Sequence, residues 1–219
     1  MIRVPHRNDA RHWAYLSLVV MLIRTFFRLI YRIEVHPSRA QLRGPCLFVG
    51  NHRSFMDPPG VSCWLDRPVA FFARASLWKI PIIRTALNLF GGFPINRSEP
   101  QMQIMRRVVA HLKSGESLVM FPEGTRTKTG RMGEIRDGAA LFARRAGVPI
   151  VPVYLQYSEY CWPRGMPFPV PGAKLRVYYG EPIHVPSDLP RRDQDAYISS
   201  RMRGWLQEKE NQLLGMQRD

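Results

Sequence analysis

The sequence predicts one α/β domain, with a mixed, largely parallel sheet flanked by helices, preceded by an N-terminal amphipathic or hydrophobic segment suited to a membrane interface. Three observations predict it. From residue 45 onward, short apolar runs alternate with helical patterns, the signature of strand–helix units. The run at 117–121, between Gly115 and Pro122, is brief and apolar, as in a strand covered on both faces. Finally, 219 residues at 45% hydrophobic and 22% charged suffice to bury a sizeable core, and no repeat or linker divides them.

Residues 1–12 carry three arginines and two histidines, as in a solvated or headgroup-contacting arm. Residues 13–23 then form an almost unbroken apolar run, shorter than the roughly 20 residues a spanning helix needs. Arg24, Arg28 and Arg32 recur every four residues with Phe26, Phe27, Leu29 and Ile30 between them. On a helix this sets a basic stripe beside an apolar face, suited to lying in a membrane interface; an amphipathic core helix is the alternative. A signal peptide also begins basic and then apolar, but no small-residue cleavage site follows, so the segment is expected to be retained. Residues 1–40 are thus expected to associate with a membrane, and residues 41–219 to form the α/β domain.

Within that domain the expected strands are residues 46–50, 69–73, 117–121, 149–155 and 174–179. Ser98-Glu99-Pro100-Gln101 has the form of a capping box, with Met102, Met105, Val109 and Leu112 on one helical face until Gly115. Shorter helical patterns cover residues 137–147 and 193–214, the latter with Ile198, Met202 and Trp205 inward. Residues 158–172 hold four prolines and two glycines and predict a loop or lid without regular structure. Residues 76–93 mix Trp78 with Lys79, Arg84 and several isoleucines, and fit a second membrane-facing patch or a core helix equally well.

The net charge of +15 points to an anionic partner. Nucleic acid is disfavoured, because aromatic residues are not interleaved with basic ones and no helix-turn-helix or RNA-binding signature appears. An anionic membrane surface, a phosphorylated ligand and an acidic carrier protein remain. Cys46, Cys63 and Cys161 are scattered and odd in number, which predicts packing roles in a reducing compartment rather than disulfides or a metal site.

Two stretches carry chemistry. In Asn51-His52-Arg53-Ser54-Phe55-Met56-Asp57, a regular helix would hold His52 and Asp57 roughly 140° apart. Pro58 disfavours helical dihedrals at Asp57, so a turn is expected to bring the two together. A carboxylate on one ring nitrogen fixes the tautomer and makes the other nitrogen a general base. In Phe121-Pro122-Glu123-Gly124-Thr125-Arg126, Gly124 allows close backbone approach, Thr125 offers a hydroxyl and Arg126 a planar fork for phosphate. Glu123 is placed to pair with a cation or to accept from a polar substrate group. Arg97, behind Gly91-Gly92, supplies a second arginine.

Residues 51–57, 92–97, 121–126 and 148–153 together resemble, in order, four motif blocks of the glycerolipid acyltransferases of the lysophosphatidic acid acyltransferase type. The likeness covers roughly residues 45–155. It implies an α/β acyltransferase domain held at a membrane by N-terminal hydrophobic helices; a monotopic protein at the cytoplasmic face, rather than a spanning one, is expected. It also implies acyl transfer from acyl-CoA or acyl carrier protein to a lysophospholipid, with no metal and no cofactor beyond that co-substrate. His52 would be the base and Asp57 its orienting partner, while Arg97, Glu123, Gly124, Thr125 and Arg126 would hold the acceptor phosphate. The hydroxyl would attack the thioester directly; an acyl-enzyme on Ser54 is the minor alternative. Arg74 stands where the family often has lysine, Thr127 where it has serine, and Ile135-Arg136 where a Phe-Lys pair is common. The expected acceptor is 1-acylglycerol 3-phosphate, giving phosphatidic acid. Alternatives are another lyso-lipid such as lyso-ornithine lipid, glycerol 3-phosphate itself, or a non-catalytic basic membrane-binding protein.

Overall fold

The computed structural model describes residues 18, 21–22, 24–38, 44–65, 69–89, 91–96, 98–127 and 129–215. Its strands are β1 Arg32–His36, β2 Leu47–Gly50, β3 Val69–Arg74, β4 Gly92–Ile95, β5 Ser117–Met120, β6 Ile150–Gln156 and β7 Lys174–Tyr179. They form one sheet in the order β1-β7-β6-β2-β5-β3-β4. Only the β6–β7 pair is antiparallel, so β1 and β7 run against the other five. The helices are α1 over residues 24–30, α2 Asp57–Ser62, α3 Pro81–Leu89, α4 Gln101–Lys113, α5 Gly138–Ala146, α6 Ser158–Cys161 and α7 Arg191–Gly215, with a 3-10 turn at Ala75–Lys79.

The alternation of strand side chains builds two cores. Leu47, Val49, Leu118, Met120 and Ile150 face α4, α5 and α7, meeting Val108, Leu112, Ala139, Ala143, Ile198, Met202 and Leu206. Phe48, Val119, Val151, Val153 and Leu155 face the other way, toward Phe27, Tyr31, Val61, Trp78 and Leu87. With both faces covered, β2, β5 and β6 are buried throughout, which is why they read as unbroken apolar runs. Pro152 is tolerated inside β6 because β7 pairing begins only at Val153↔Tyr179. Its carbonyl faces that side, accepting from Gly180, so the missing amide donor falls where the ladder has ended.

Several expectations change. Two strands were not expected. One of them, β1, lies inside the stretch 1–40 assigned to the membrane, so the sheet begins before the boundary placed at residue 40. The capping box does not form: α4 begins at Gln101 with Pro100 as N-cap, and Glu99 instead pairs with Arg107 at 3.0 Å. The inner face of α4 is Met105, Val108 and Leu112, while Met102 is exposed. The stretch 158–172 opens with the helical turn α6, because its prolines start only at Pro163. Trp78 is a core residue, its ring nitrogen donating to Asn88 at 2.8 Å, so it is not an interfacial anchor.

The arginines of α1 also make contacts within the protein that the sequence does not show. Arg24 donates to the backbone carbonyls of Cys63 and Leu65, and Arg28 lies over the Trp64 ring, 5.4 Å from its centroid. Arg32 has left the helix for β1. The outward stripe is apolar: Leu18, Met21, Leu22, Phe26 and Leu29 are all half or more exposed. Residues 1–17 and the rest of the run at 13–23 lie outside the described residues apart from Leu18, Met21 and Leu22. No helix among the described residues is long and apolar enough to cross a membrane.

Candidate active site

Because β6, β2, β5, β3 and β4 are mutually parallel, their carboxyl ends share one edge of the sheet. Chain connections leave β2 toward β3 on one side and leave β5 toward β6 on the other. A crevice forms at such a reversal, and it is where ligands bind open α/β sheets. Both chemistry-bearing stretches emerge there, after β2 and after β5.

Asn51 ends β2 by using its side chain as a strand residue. Its amide donates to the Leu155 carbonyl at 2.9 Å and its oxygen accepts from the Leu155 amide at 2.7 Å. The ladder with β6 is thus satisfied while the backbone turns away, leaving His52 at the crevice. Asp57, fully buried, follows as the first residue of α2. Pro58 and Pro59 do not prevent this, since they occupy the first turn, where a missing amide costs no helix bond.

One oxygen of Asp57 organises the turn. Its Oδ2 accepts from the amides of Arg53 at 2.6 Å and Ser54 at 2.7 Å, and lies 2.7 Å from His52 Nδ1. An oxygen already accepting from two amides is an acceptor toward the ring as well, so Nδ1 carries the hydrogen. The lone pair of His52 then sits on Nε2, the arrangement a general base needs.

The second stretch clamps the same histidine. The His52 amide donates to Glu123 Oε1 at 2.7 Å, and its carbonyl accepts from the Thr127 amide at 2.8 Å. Its ring stacks on Phe121, with centroids 4.4 Å apart and planes at 16°. Glu123 Oε2 accepts from the Gly133 amide at 2.8 Å, so each oxygen of this buried carboxylate is engaged by the backbone. Glu123 thus ties the His52 turn to the loop at Gly133. Burial raises its pKa above the ordinary 4.5, against the two amides that favour the charged form. The folded protein then keeps this proton to higher pH than the unfolded chain, so wild-type stability falls as pH rises from about 4.5 through the folded value. Urea unfolding at stepped pH should show that decline relative to Glu123→Gln, and parallel profiles would contradict it.

Behind the turn lies a network with no signal in the sequence. Arg53 donates to Glu159 at 3.1 Å, to the Tyr154 hydroxyl at 2.5 Å and to Glu210 of α7 at 3.0 Å. Glu210 also accepts from the Met132 amide at 2.8 Å, one residue from Gly133. The turn at residues 51–57, the 132–133 loop and α7 are thus one hydrogen-bonded unit. A cleft of about 470 Å³ opens between that loop and Arg203, Gly204 and Gln207 of α7. Glu123 bridges the Gly133 amide on the rim of this cleft and the His52 amide, so the cleft and His52 lie on opposite sides of that carboxylate.

The remaining expected residues divide. Gly124 adopts φ +69°, the left-handed conformation its turn requires, and Thr125 is exposed beside it. Arg126 lies over the Phe55 ring, 3.6 Å from its centroid. Arg97 lies outside the described residues. Arg74 is exposed at the carboxyl end of β3. Ser54 is fully buried; its hydroxyl donates to the Trp162 carbonyl and accepts from the Met56 amide, so it is not set up as a nucleophile. The three cysteines are buried and unbridged, and burial pushes the Cys63 and Cys161 thiols up to about 12.

Residues 32–156, from the first residue of β1 to the last of β6, match the family model described as Acyltransferase. The chain belongs to the acyltransferase family. Among curated proteins, a chloroplastic 1-acyl-sn-glycerol-3-phosphate acyltransferase of Brassica napus is 32% identical over 82% of this chain and 50% of its own length. The corresponding Arabidopsis thaliana chloroplastic enzyme is 33% identical, over 82% of the chain and 50% of its own. The Pseudomonas aeruginosa 1-acyl-sn-glycerol-3-phosphate acyltransferase is 28% identical over 94% of the chain and 78% of its own. The chain thus spans about half the length of the first two relatives. The crystal structure of the 1-acyl-sn-glycerophosphate acyltransferase of Thermotoga maritima superposes with a TM-score of 0.70 at 23% identity, covering 92% of this chain and 84% of that one, and shares the fold. Within this acyltransferase domain, Glu159 and Glu210 lie beyond the matched residues yet bond Arg53 inside them, so the family core alone does not complete the turn's support.

Proposed function

We propose that this chain is a 1-acylglycerol-3-phosphate O-acyltransferase, making phosphatidic acid from a lysophosphatidic acid and an acyl thioester, either acyl-CoA or acyl carrier protein. The observation that carries the reading is His52 with Nδ1 held by Asp57 and both backbone groups held by the stretch that bears Arg126. The names of the similar proteins support this acceptor.

His52 Nε2 takes the proton of the acceptor hydroxyl as its oxygen attacks the thioester carbonyl carbon. The tetrahedral intermediate collapses with cleavage of the C–S bond, and the leaving thiolate takes the proton back from Nε2. Asp57 stabilises the transient imidazolium and keeps the ring oriented. The backbone at Gly124, the Thr125 hydroxyl, Arg126 and Arg97 serve the acceptor phosphate, with Glu123 supporting them from behind.

The apolar outward stripe of α1 supports insertion of this helix into a membrane interface as a monotopic element. The +15 charge suits the anionic cytoplasmic leaflet. We assign membrane contact to the segment ahead of β1 and catalysis to the sheet and helices from β1 onward.

Purified protein assayed with lysophosphatidic acid, lyso-ornithine lipid and glycerol 3-phosphate is expected to turn over the first fastest. Absence of turnover with every glycerophosphate would sink the proposal.

A further inference from the structure

We propose that Arg164, on the loop after α6, is a second ligand for the acceptor's phosphate and sets the preference for phosphorylated acceptors. The inference rests on the reaction proposed above. Arg164 is exposed, yet its Nη1 donates to the backbone carbonyl of Arg126 at 3.1 Å. Two guanidinium-bearing residues, 38 positions apart in the chain, are thereby drawn to one place. Burial and then the charge of Arg164 lower the pKa of Arg126, as expected for cations close enough to repel. Arg126 Nη1 is buried and makes no hydrogen bond to the described residues. Among the described residues, neither arginine joins a salt bridge, whereas Arg53, Arg107, Arg144, Arg176 and Arg203 each do.

A phosphate monoester between the two heads would turn that repulsion into paired, charge-assisted hydrogen bonds. The Phe55 ring under Arg126 fixes one side of the cradle. The loop that carries Arg164 is fixed to the catalytic turn two residues earlier. There the Trp162 carbonyl accepts from Ser54 at 3.1 Å, and the Trp162 ring meets Phe55 edge-on at 5.4 Å. Thr127, the residue after Arg126, donates its amide to the His52 carbonyl at 2.8 Å, which ties the cradle to the turn that carries the base. A headgroup held here lies between the loop and the turn.

Phosphates of a CoA donor have the same chemistry, so the test separates the two sources. Wild type, Arg164→Ala and Arg164→Lys are compared in three measurements. These are KM for lysophosphatidic acid at saturating acyl-CoA, KM for acyl-CoA at saturating acceptor, and calorimetric binding of glycerol 3-phosphate. Arg164→Ala should raise the lysophosphatidic acid KM about 10–100-fold and weaken glycerol 3-phosphate binding by a similar factor. Its kcat, its acyl-CoA KM and its turnover of an unphosphorylated monoacylglycerol should stay near wild type. Arg164→Lys should recover part of the loss, as a point charge without the fork. An exposed residue should leave the melting temperature unchanged, so misfolding is separately visible. Unchanged acceptor KM and unchanged glycerol 3-phosphate binding overturn the proposal, as does a rise confined to acyl-CoA. If wild type does not acylate lysophosphatidic acid but glycerol 3-phosphate binding still needs Arg164, the anion site stands and the assigned reaction falls.

Discussion

His52→Ala is expected to lower acyl transfer by about 10²–10⁴-fold, the usual contribution of a positioned general base. The protein should still fold, because the clamps on residue 52 are its amide and carbonyl, bonded to Glu123 and Thr127, and alanine keeps both. The loss should therefore appear in kcat with little change in binding to anionic vesicles. Asp57→Asn should act through the charge. An amide oxygen in the Oδ2 place can still accept from the Arg53 and Ser54 amides and from Nδ1, so the ring stays oriented, but the negative charge that stabilises the transient imidazolium is lost. A fall on the order of 10² or more in rate at unchanged melting temperature is expected. Rates for either variant equal to wild type would show that the chemistry does not pass through this pair.

Arg53→Met is expected to have the largest effect on stability. The guanidinium is buried and holds Glu159, Tyr154 and Glu210 together, and Glu210 has a side-chain exposure of 5%. Removing one partner of a buried ion pair leaves a buried carboxylate uncompensated, which costs about 3–5 kcal/mol. For a domain of this size that corresponds to a melting temperature lower by roughly 6–20 °C. Activity should fall with it, because Glu210 also positions the Met132 amide beside the Gly133 that holds Glu123. Replacing Arg53, Glu159 and Glu210 together by apolar residues should recover part of the stability without the activity. Calorimetric unfolding of Arg53→Met within about 1 kcal/mol of wild type would contradict this account of the network.

What the sequence made legible follows from how each element is recognised. The core strands β2, β5 and β6 are covered on both faces and so advertise themselves as apolar runs. The strand β4, with sequence GFPI, carries glycine and proline and resembles a turn; it forms because β3 offers it a parallel partner at the sheet edge. The strand β1 continues a spacing of arginines that suits a helix, and only its pairing with β7 reveals it. The contact of His52 with Asp57 was expected from a turn ahead of Pro58, but a five-residue spacing is by itself a weak signal, and Asp57 instead opens α2. The contacts of Glu123 were not legible, since its partners are backbone amides, which have no side-chain signature. The Arg53–Glu210 contact spans 157 positions, and no local pattern encodes a pairing of that range. The same holds for Arg24 of α1: the sequence shows a period of four, but its direction is set by the carbonyls of Cys63 and Leu65, which only folding brings near.

The most direct test of the central claim is to incubate the purified protein with a radiolabelled acyl thioester, with and without lysophosphatidic acid, in mixed micelles. Labelled phosphatidic acid and denaturation-stable label on the protein are then quantified. Direct attack by the acceptor hydroxyl predicts labelled phosphatidic acid only when both substrates are present, and no label on the protein in either case. Label that accumulates on the protein and passes to the acceptor, or no phosphatidic acid under any condition, would contradict it.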